Sequence, residues 1–154
     1  MDDEGHKRMY CSSKSRSLIS IAILVIIILQ TNLLKAHAHA SVEINNVSSD
    51  DGYVVLHLYE NKTSFKKFNP DRIYKKVATN GKTIIPINDY HEGDIAIFVY
   101  HDENSDEEFN TSIFWTPKEG YAYSNSYIPT SIPKYEEALF RLEHGVAVNL
   151  ELIY

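Results

Sequence analysis

Oxygen-bearing side chains recur at every second position in one acidic stretch of this chain. The alternating residues are Asp102, Asn104, Asp106, Glu108 and Asn110. Hard cations such as Ca²⁺ take about six to eight oxygen ligands, and a flexible acidic loop with this spacing can wrap around one. The pattern therefore predicts a calcium site formed by these side chains. The plainer interpretation is a solvated acidic connection between two strands.

The same loop departs from the calcium loop of EF-hand proteins at two positions. That loop has Gly at its sixth position, for a sharp turn, and a bidentate Glu at its twelfth. Counted from Asp102, these positions are occupied by Glu107 and Ile113. The spacing alone leaves cation binding and a solvated loop both open.

Aromatic residues crowd the segment that follows the acidic loop. Flat rings displayed on a loop provide the contact surface of many glycan-binding and peptide-binding proteins. Trp115, Tyr121 and Tyr123 are the candidate contacts to a ligand, with a glycan or an envelope protein as the partner. The favoured interpretation is that the rings anchor a long loop onto the domain, because a loop of this length without its own packing would be unusual. The rings concerned are Phe109, Phe114, Trp115, Tyr121, Tyr123, Tyr127 and Tyr135.

No local motif in the chain supports catalysis. The sequence has no Gly-x-Ser-x-Gly elbow, no His-Glu-x-x-His helix and no glycine-rich phosphate loop. We therefore expect a non-catalytic module. The alternative is a small hydrolase or metal-dependent enzyme built on the loop after His101, with Asp102 and Glu119 as a carboxylate pair. His101 itself is expected to be a strand-end residue that is hydrogen-bonded to the loop.

The N-terminal segment has the pattern of a secretory signal peptide. Basic residues precede an apolar run from Leu18 to Leu29, which is shorter than the roughly 20 residues that a helix needs to span a bilayer. Small residues then stand where a signal peptidase would cut, after Ala38 or Ala40. We expect residues 1–40 to be removed and the mature protein to be periplasmic or secreted, without stable insertion in a membrane. The alternative is an uncleaved N-terminal helix that anchors the protein.

The expected mature chain is acidic. After a cut at Ala38 it carries 10 Lys and Arg against 18 Asp and Glu, a formal charge of −8. A surface of this charge repels nucleic acid and anionic lipid, so neither is expected as a partner. The only cysteine, Cys11, precedes the apolar run, and the mature chain must therefore be stabilised by its core and not by disulfides.

The elements that carry these residues are predicted to be β-strands, because apolar side chains alternate with a period of two. Asn80-Gly81 and Glu143-His144-Gly145 are predicted to close two hairpins. Pro86 cannot donate a ladder hydrogen bond, so its strand is expected to lie at a sheet edge or to end early. The run 95–101 is apolar on both faces, as is typical of a central strand. The predicted strands are 41–47, 53–59, 73–79, 83–88, 95–101, 138–142 and 146–154.

About seven short strands with regular turn signals predict an all-β, two-sheet β-sandwich that occupies residues 41–154 as a single domain. Between the second and third strands, residues 60–72 are predicted to form a loop or a short helical turn. Phe65 and Phe68 would be its aromatic anchors. Residues 134–139 can form a brief helix.

Three separated motifs carry a family resemblance. They are His101-Asp102-Glu103-Asn104, Pro117-Lys118-Glu119-Gly120-Tyr121 and Ser124-Asn125. In this order, before a last strand that ends in Tyr, they resemble the bacterial family catalogued as domain of unknown function 2141. The resemblance covers about residues 42–154. It implies an immunoglobulin-like or transthyretin-like sandwich that is exported across the inner membrane and has no established activity.

The chain departs from this family's pattern in its loops. The family's acidic loop tends to read Asp-Glu-Asn-x-Asn-Gly-Lys-x-Asp. Here Glu107 replaces the Gly and Asn110 replaces the last Asp, and Ala122 replaces a Gly in the segment before Ser124. These changes weaken the prediction of a cation site and leave the predicted fold unaffected.

Overall fold

The computed structural model describes residues 40–88, 90, 92–113, 116–143 and 145–154. The predicted signal peptide therefore lies outside the described residues, apart from Ala40. Among the described residues, no helix is both long and apolar enough to cross a membrane.

The described residues form eight strands, two short helices and one 3₁₀ turn. The strands are β1 (Ala40–Val47), β2 (Tyr53–Tyr59), β3 (Arg72–Val77), β4 (Gly81–Ile87), β5 (Gly93–Asp102), β6 (Tyr121–Tyr123), β7 (Phe140–Leu142) and β8 (Ala147–Glu151). The helices are α1 (Lys62–Lys66) and α2 (Tyr135–Ala138), and the 3₁₀ turn is Ser124–Ser126.

The strands form two sheets, which confirms the predicted all-β sandwich. In the smaller sheet, with order β4-β1-β8, β1 is antiparallel to β4 and parallel to β8. The larger sheet has the order β3-β2-β5-β6 and is antiparallel, and β7 pairs with the first residues of β5. Pro86 lies in the edge strand β4 and β5 is central, both as predicted. The narrower immunoglobulin-like or transthyretin-like assignment stays a prediction.

The main core lies between the two sheets and follows the period-two pattern of the sequence. Burying each large aliphatic side chain of this kind stabilises the fold by about 1.5–3 kcal/mol. Its fully buried members come from both sheets, which fixes the inner face of each strand. They include Val42, Ile44, Val54, Leu56, Leu58, Ile87, Ile97, Val99, Leu142 and Leu152.

The outer face of the larger sheet is covered by a second, aromatic cluster. Both short helices, α1 and α2, pack over this face. The Asn61 side chain caps α1 by accepting two backbone N–H groups, each at 3.0 Å. Phe65 then packs edge-to-face on Tyr59, with ring centroids 5.0 Å apart. Phe65 is thus the predicted anchor, whereas the prediction for Phe68 is wrong because its side chain is 61% exposed.

Both predicted hairpins are wrong. The strands on either side of Asn80-Gly81 belong to different sheets, since β3 pairs with β2 and β4 pairs with β1. Likewise β7 pairs with β5, and β8 lies parallel to β1. A turn signal reports that the chain reverses locally, but burial of the flanking apolar faces decides which strand each one pairs with. At both places the chain passes from one sheet to the other.

Candidate cation site

Asp102 ends β5 and begins the acidic loop. Its side chain is completely buried, and its backbone pairs with Tyr53 at the start of β2. The preceding turn approaches closely because Gly52 has φ +65°, and a Cβ at Gly52 would lie 1.9 Å from the Asp102 carbonyl oxygen. The lack of a side chain at Gly52 therefore allows this turn to pack directly against the backbone of Asp102.

The Asp102 carboxylate folds the acidic loop back on itself. Its Oδ1 accepts the backbone N–H of Asp106 and its Oδ2 accepts that of Glu107, each at 3.1 Å. Short polar side chains commonly organise loops through such contacts with nearby backbone. The turn brings Asp106 beside Asp102.

Glu107 adopts a backbone conformation that favours glycine. Its φ is +64°, in the left-handed region, at the position where the resembled family has Gly. A non-glycine residue in this region costs about 1–2 kcal/mol. The Glu107 carboxylate accepts a hydrogen bond from Lys75 Nζ at 2.8 Å, which ties the loop to β3. Glu107 therefore adopts the left-handed conformation that a Gly would adopt without this cost, and Lys75 helps to hold it there.

Asp106 is held by hydrogen bonds on both of its carboxylate oxygens. Oδ2 accepts from the side-chain amides of Asn104 at 2.8 Å and Asn110 at 3.0 Å, and Oδ1 accepts the N–H of Glu108 at 3.0 Å. These bonds lower the pKa of Asp106, with the Glu108 N–H as the largest cause. Asp106 is an oriented, ionised group on the exposed side of the loop.

Glu119 lies just before β6 and is 95% buried, since only 5% of its surface is exposed. Its Oε2 accepts the N–H of Asn110 at 2.9 Å. Its Oε1 is buried and has no hydrogen-bond partner among the described residues. Burial raises the pKa of Glu119; the Asn110 N–H partly opposes this shift, and the negative charges of Asp102 and Asp106 add to it.

The three carboxylates converge. One oxygen from each of Asp102, Asp106 and Glu119 lies within 4.8 Å of the other two. Among the described residues, none of the three takes part in an ion pair. Hard oxygen ligands at this separation can surround a divalent cation such as Ca²⁺ or Mg²⁺.

The acidic residues singled out in the sequence are placed differently from one another. Asp102 and Asp106 belong to the carboxylate cluster, and Asn104 and Asn110 hydrogen-bond to Asp106. Glu108 contributes its backbone N–H, while its exposed side chain lies outside the cluster.

The sequence offers Glu119 only as one half of a hydrolase pair and not as a cation ligand. The pairing of β5 with β6 places Glu119 next to the acidic loop, and in this pairing the His101 N–H donates to the Gly120 carbonyl at 2.8 Å. Because β6 has only three residues, alternation does not reveal it. A prediction that residues 121–123 pair antiparallel with β5 would have been enough to place Glu119 beside Asp102.

The predicted ligand-contacting tyrosines lie at a groove between β6 and β8. Tyr121 and Tyr123 line it together with Tyr127, Asn149 and Glu151, and its volume is about 190 Å³. The ring of Tyr123 also packs on the aromatic cluster and is almost fully buried. Trp115 lies outside the described residues. The structure thus assigns the two tyrosines both a packing role and a place at a small groove.

His101 is completely buried, and both of its ring nitrogens have partners. Nε2 lies 2.8 Å from the Asp51 carbonyl oxygen, which can only accept, so Nε2 carries the proton. Nδ1 lies 3.0 Å from the Tyr154 hydroxyl and 3.3 Å from Glu103 Oε1. The Tyr154 ring covers Gly120, where a Cβ would lie 2.3 Å from it. As expected, His101 is a strand-end residue that is hydrogen-bonded to neighbouring loops.

The comparisons with known proteins give one family. Residues 42–149 match the model of a family described as "Uncharacterized protein conserved in bacteria (DUF2141)". The matched range contains the acidic loop, Glu119 and both groove tyrosines of β6. No curated protein and no solved structure gives a significant match.

Proposed function

Since the chain belongs to this bacterial family of uncharacterised proteins, DUF2141, we propose that it is an exported, non-catalytic β-sandwich module that works by binding. Export is supported by the signal-peptide pattern of residues 1–40. The binding surface comprises the acidic loop after β5 and the groove between β6 and β8.

The burial of Asp102 and Glu119 carries the proposal of a non-catalytic module. A general acid or base must come within hydrogen-bonding distance of the substrate. Asp102 is 0% exposed and Glu119 is 5% exposed, and both accept backbone N–H groups that close the loop.

His101, which precedes Asp102 in β5, offers no catalytic base to this pair. The ring of His101 is fully buried, its Nε2 donates to the Asp51 carbonyl, and its Nδ1 lies against the Tyr154 hydroxyl and Glu103. Ser48 Oγ, 3.3 Å from Nδ1, donates to Glu103. These side chains are engaged in holding the loops together.

The groove between β6 and β8 favours a glycan or an envelope protein as the partner. Tyrosines on one side and the polar Asn149 and Glu151 on the other combine apolar contact with hydrogen-bonding groups. The excess of acidic residues disfavours nucleic acid.

Export predicts a defined mature N-terminus. When the full chain is expressed in a bacterium, protein from the exported fraction should begin at His39 or Ser41, as read by N-terminal sequencing or mass spectrometry. A Leu24→Arg variant, which interrupts the apolar run, should remain in the cell. Full-length protein in the soluble cytoplasmic fraction would contradict export, and full-length protein in the membrane fraction would support the anchored alternative.

Amino-acid substitutions distinguish a binding module from an enzyme. We expect the purified protein to retain a glycan or an envelope protein and to release no product from hydrolase substrates. Glu151→Gln, at the rim of the groove, should weaken that binding by about tenfold, which corresponds to the loss of one hydrogen bond to a charged group. Glu137→Gln, at an exposed acid that does not line the groove, is the matched control. Hydrolysis that disappears in both Asp102→Ala and Glu119→Ala would instead establish the enzyme alternative.

A further inference from the structure

We propose that the acidic loop holds one calcium ion between the carboxylates of Asp102, Asp106 and Glu119. The inference names the ligand of the acidic part of the proposed binding surface. The inference rests on the proposed function in one respect only, the expected affinity of the site for calcium, because an exported protein meets extracellular calcium. The ligand set itself follows from the geometry.

The unpartnered oxygen of Glu119 points to a ligand independently of the acidic composition. Buried polar atoms in folded proteins nearly always have a hydrogen-bond partner, and an exception calls for an explanation such as a bound ion. Glu119 Oε1 is buried without a partner among the described residues, while its Oε2 accepts the Asn110 N–H. Glu119 is therefore held in place and retains one oxygen for an ion.

The charges of the cluster favour a cation in the same place. Three carboxylates whose oxygens lie within 4.8 Å of one another repel, and no described Lys or Arg forms an ion pair with them. Two of these carboxylates, Asp102 and Glu119, are removed from water, where like charges repel more strongly. A divalent ion among them replaces this repulsion by attraction.

The chemistry of the ligands favours calcium over zinc and magnesium. All three are carboxylates, and no His or Cys among the described residues belongs to the cluster, whereas zinc sites are typically built from those residues. Calcium takes ligands at about 2.3–2.6 Å in flexible geometry, so ligands on opposite sides of the ion are about 5 Å apart. Magnesium demands a near-ideal octahedron at about 2.0–2.1 Å and usually keeps several waters, with only one or two carboxylates. Asp106 is exposed, so water can complete a calcium shell from that side.

The ion would join two segments that are distant in the sequence. Asp102 and Asp106 belong to the acidic loop, whereas Glu119 follows a small turn closed by the Lys118 N–H to the Asn110 carbonyl at 3.0 Å. Within that turn, Thr111 pairs with Pro117. A calcium ion would fasten both ends of the 103–119 segment to the end of β5. Calcium binding should therefore stabilise the native state.

Calcium titration of the purified protein tests the site. We expect a dissociation constant of about 10⁻⁴–10⁻³ M, as in extracellular calcium modules. At a free calcium concentration about tenfold above that value, Tm should rise by about 5 °C over its value in chelator. Asp106→Asn should weaken calcium binding by at least about tenfold, and Glu119→Gln should remove the Tm rise. Glu108→Gln, an exposed acid outside the cluster, should leave both unchanged.

Three results would overturn the assignment. They are the absence of any calcium-dependent shift in the wild type, an equal shift with magnesium, and a calcium shift that persists in both Asp106→Asn and Glu119→Gln. Both variants are conservative, and chelator melts establish that they are folded. If calcium has no effect on Tm, the calcium site is ruled out while the proposed binding module is unaffected. Calcium-dependent turnover of a substrate would instead overturn the non-catalytic proposal and retain the site.

Discussion

Gly52→Ala should destabilise the domain by about 3 kcal/mol or more, because it combines a left-handed backbone with a backbone collision. The φ of Gly52 is +65°, and the added Cβ would lie 1.9 Å from the Asp102 carbonyl oxygen. The strand ends that hold Asp102 would have to separate. For a domain of this size the loss corresponds to a fall in Tm of about 10 °C, measured by thermal melts in chelator. Calcium binding should weaken as well, since Asp102 moves.

Gly81→Ala is the matched control for this prediction. Gly81 also has a positive φ, +81°, but a Cβ there would meet nothing within 4 Å. Only the backbone cost of about 1 kcal/mol should appear. Equal losses in the two variants would show that the close approach at Asp102 is not what makes Gly52 necessary.

Glu119→Gln should have opposite effects in the two conditions of the calcium melt. In chelator it should stabilise the domain by about 1 kcal/mol, because a buried carboxylate with an unpartnered oxygen becomes a neutral amide. The amide oxygen can still accept the Asn110 N–H, and the amide N–H groups can donate to the carboxylates of Asp102 and Asp106. In calcium the variant should lose the stabilisation that the wild type gains.

The pH dependence of stability in chelator identifies the origin of that effect. The pKa of Glu119 is raised in the folded protein above its ordinary value of 4.5. The folded state therefore binds this proton more tightly than the unfolded state, and stability from this group is lost as pH rises through the raised pKa. The stabilisation by Glu119→Gln should be largest at neutral pH and should shrink as the pH falls toward 4.5. An effect that is constant across this range would assign it to packing.

The parts of the fold that the sequence predicts well are those decided within one strand. In β2 the alternation of Val54, Leu56 and Leu58 against the other face fixes both the strand and the side that faces the core, and Pro86 marks an edge. The apolar run of β5 on both faces predicts its central position, because each face packs on a different cluster. Local periodicity is sufficient for these properties.

The pairing of strands and the full ligand set depend on contacts between distant residues. Asn80-Gly81 signals a reversal of the chain, but it joins two sheets where a hairpin is expected. Asp102 and Asp106 are evident from their spacing, whereas Glu119 reaches them only through the three-residue strand β6. Glu119 Oε1 lacks a hydrogen-bond partner among the described residues because of how the fold buries it, and no pattern in the sequence predicts this.

A crystal structure of the protein grown in millimolar calcium is the sharpest test of the calcium site. We expect an ion, identified by its anomalous scattering, with oxygens of Asp102, Asp106 and Glu119 at about 2.3–2.6 Å. Glu119 Oε1, which is buried without a partner among the described residues, should be one of its ligands or lie against a water that is. A map with no ion at this position, and with Glu119 Oε1 bonded to a protein group, would show that the three carboxylates do not form a calcium site.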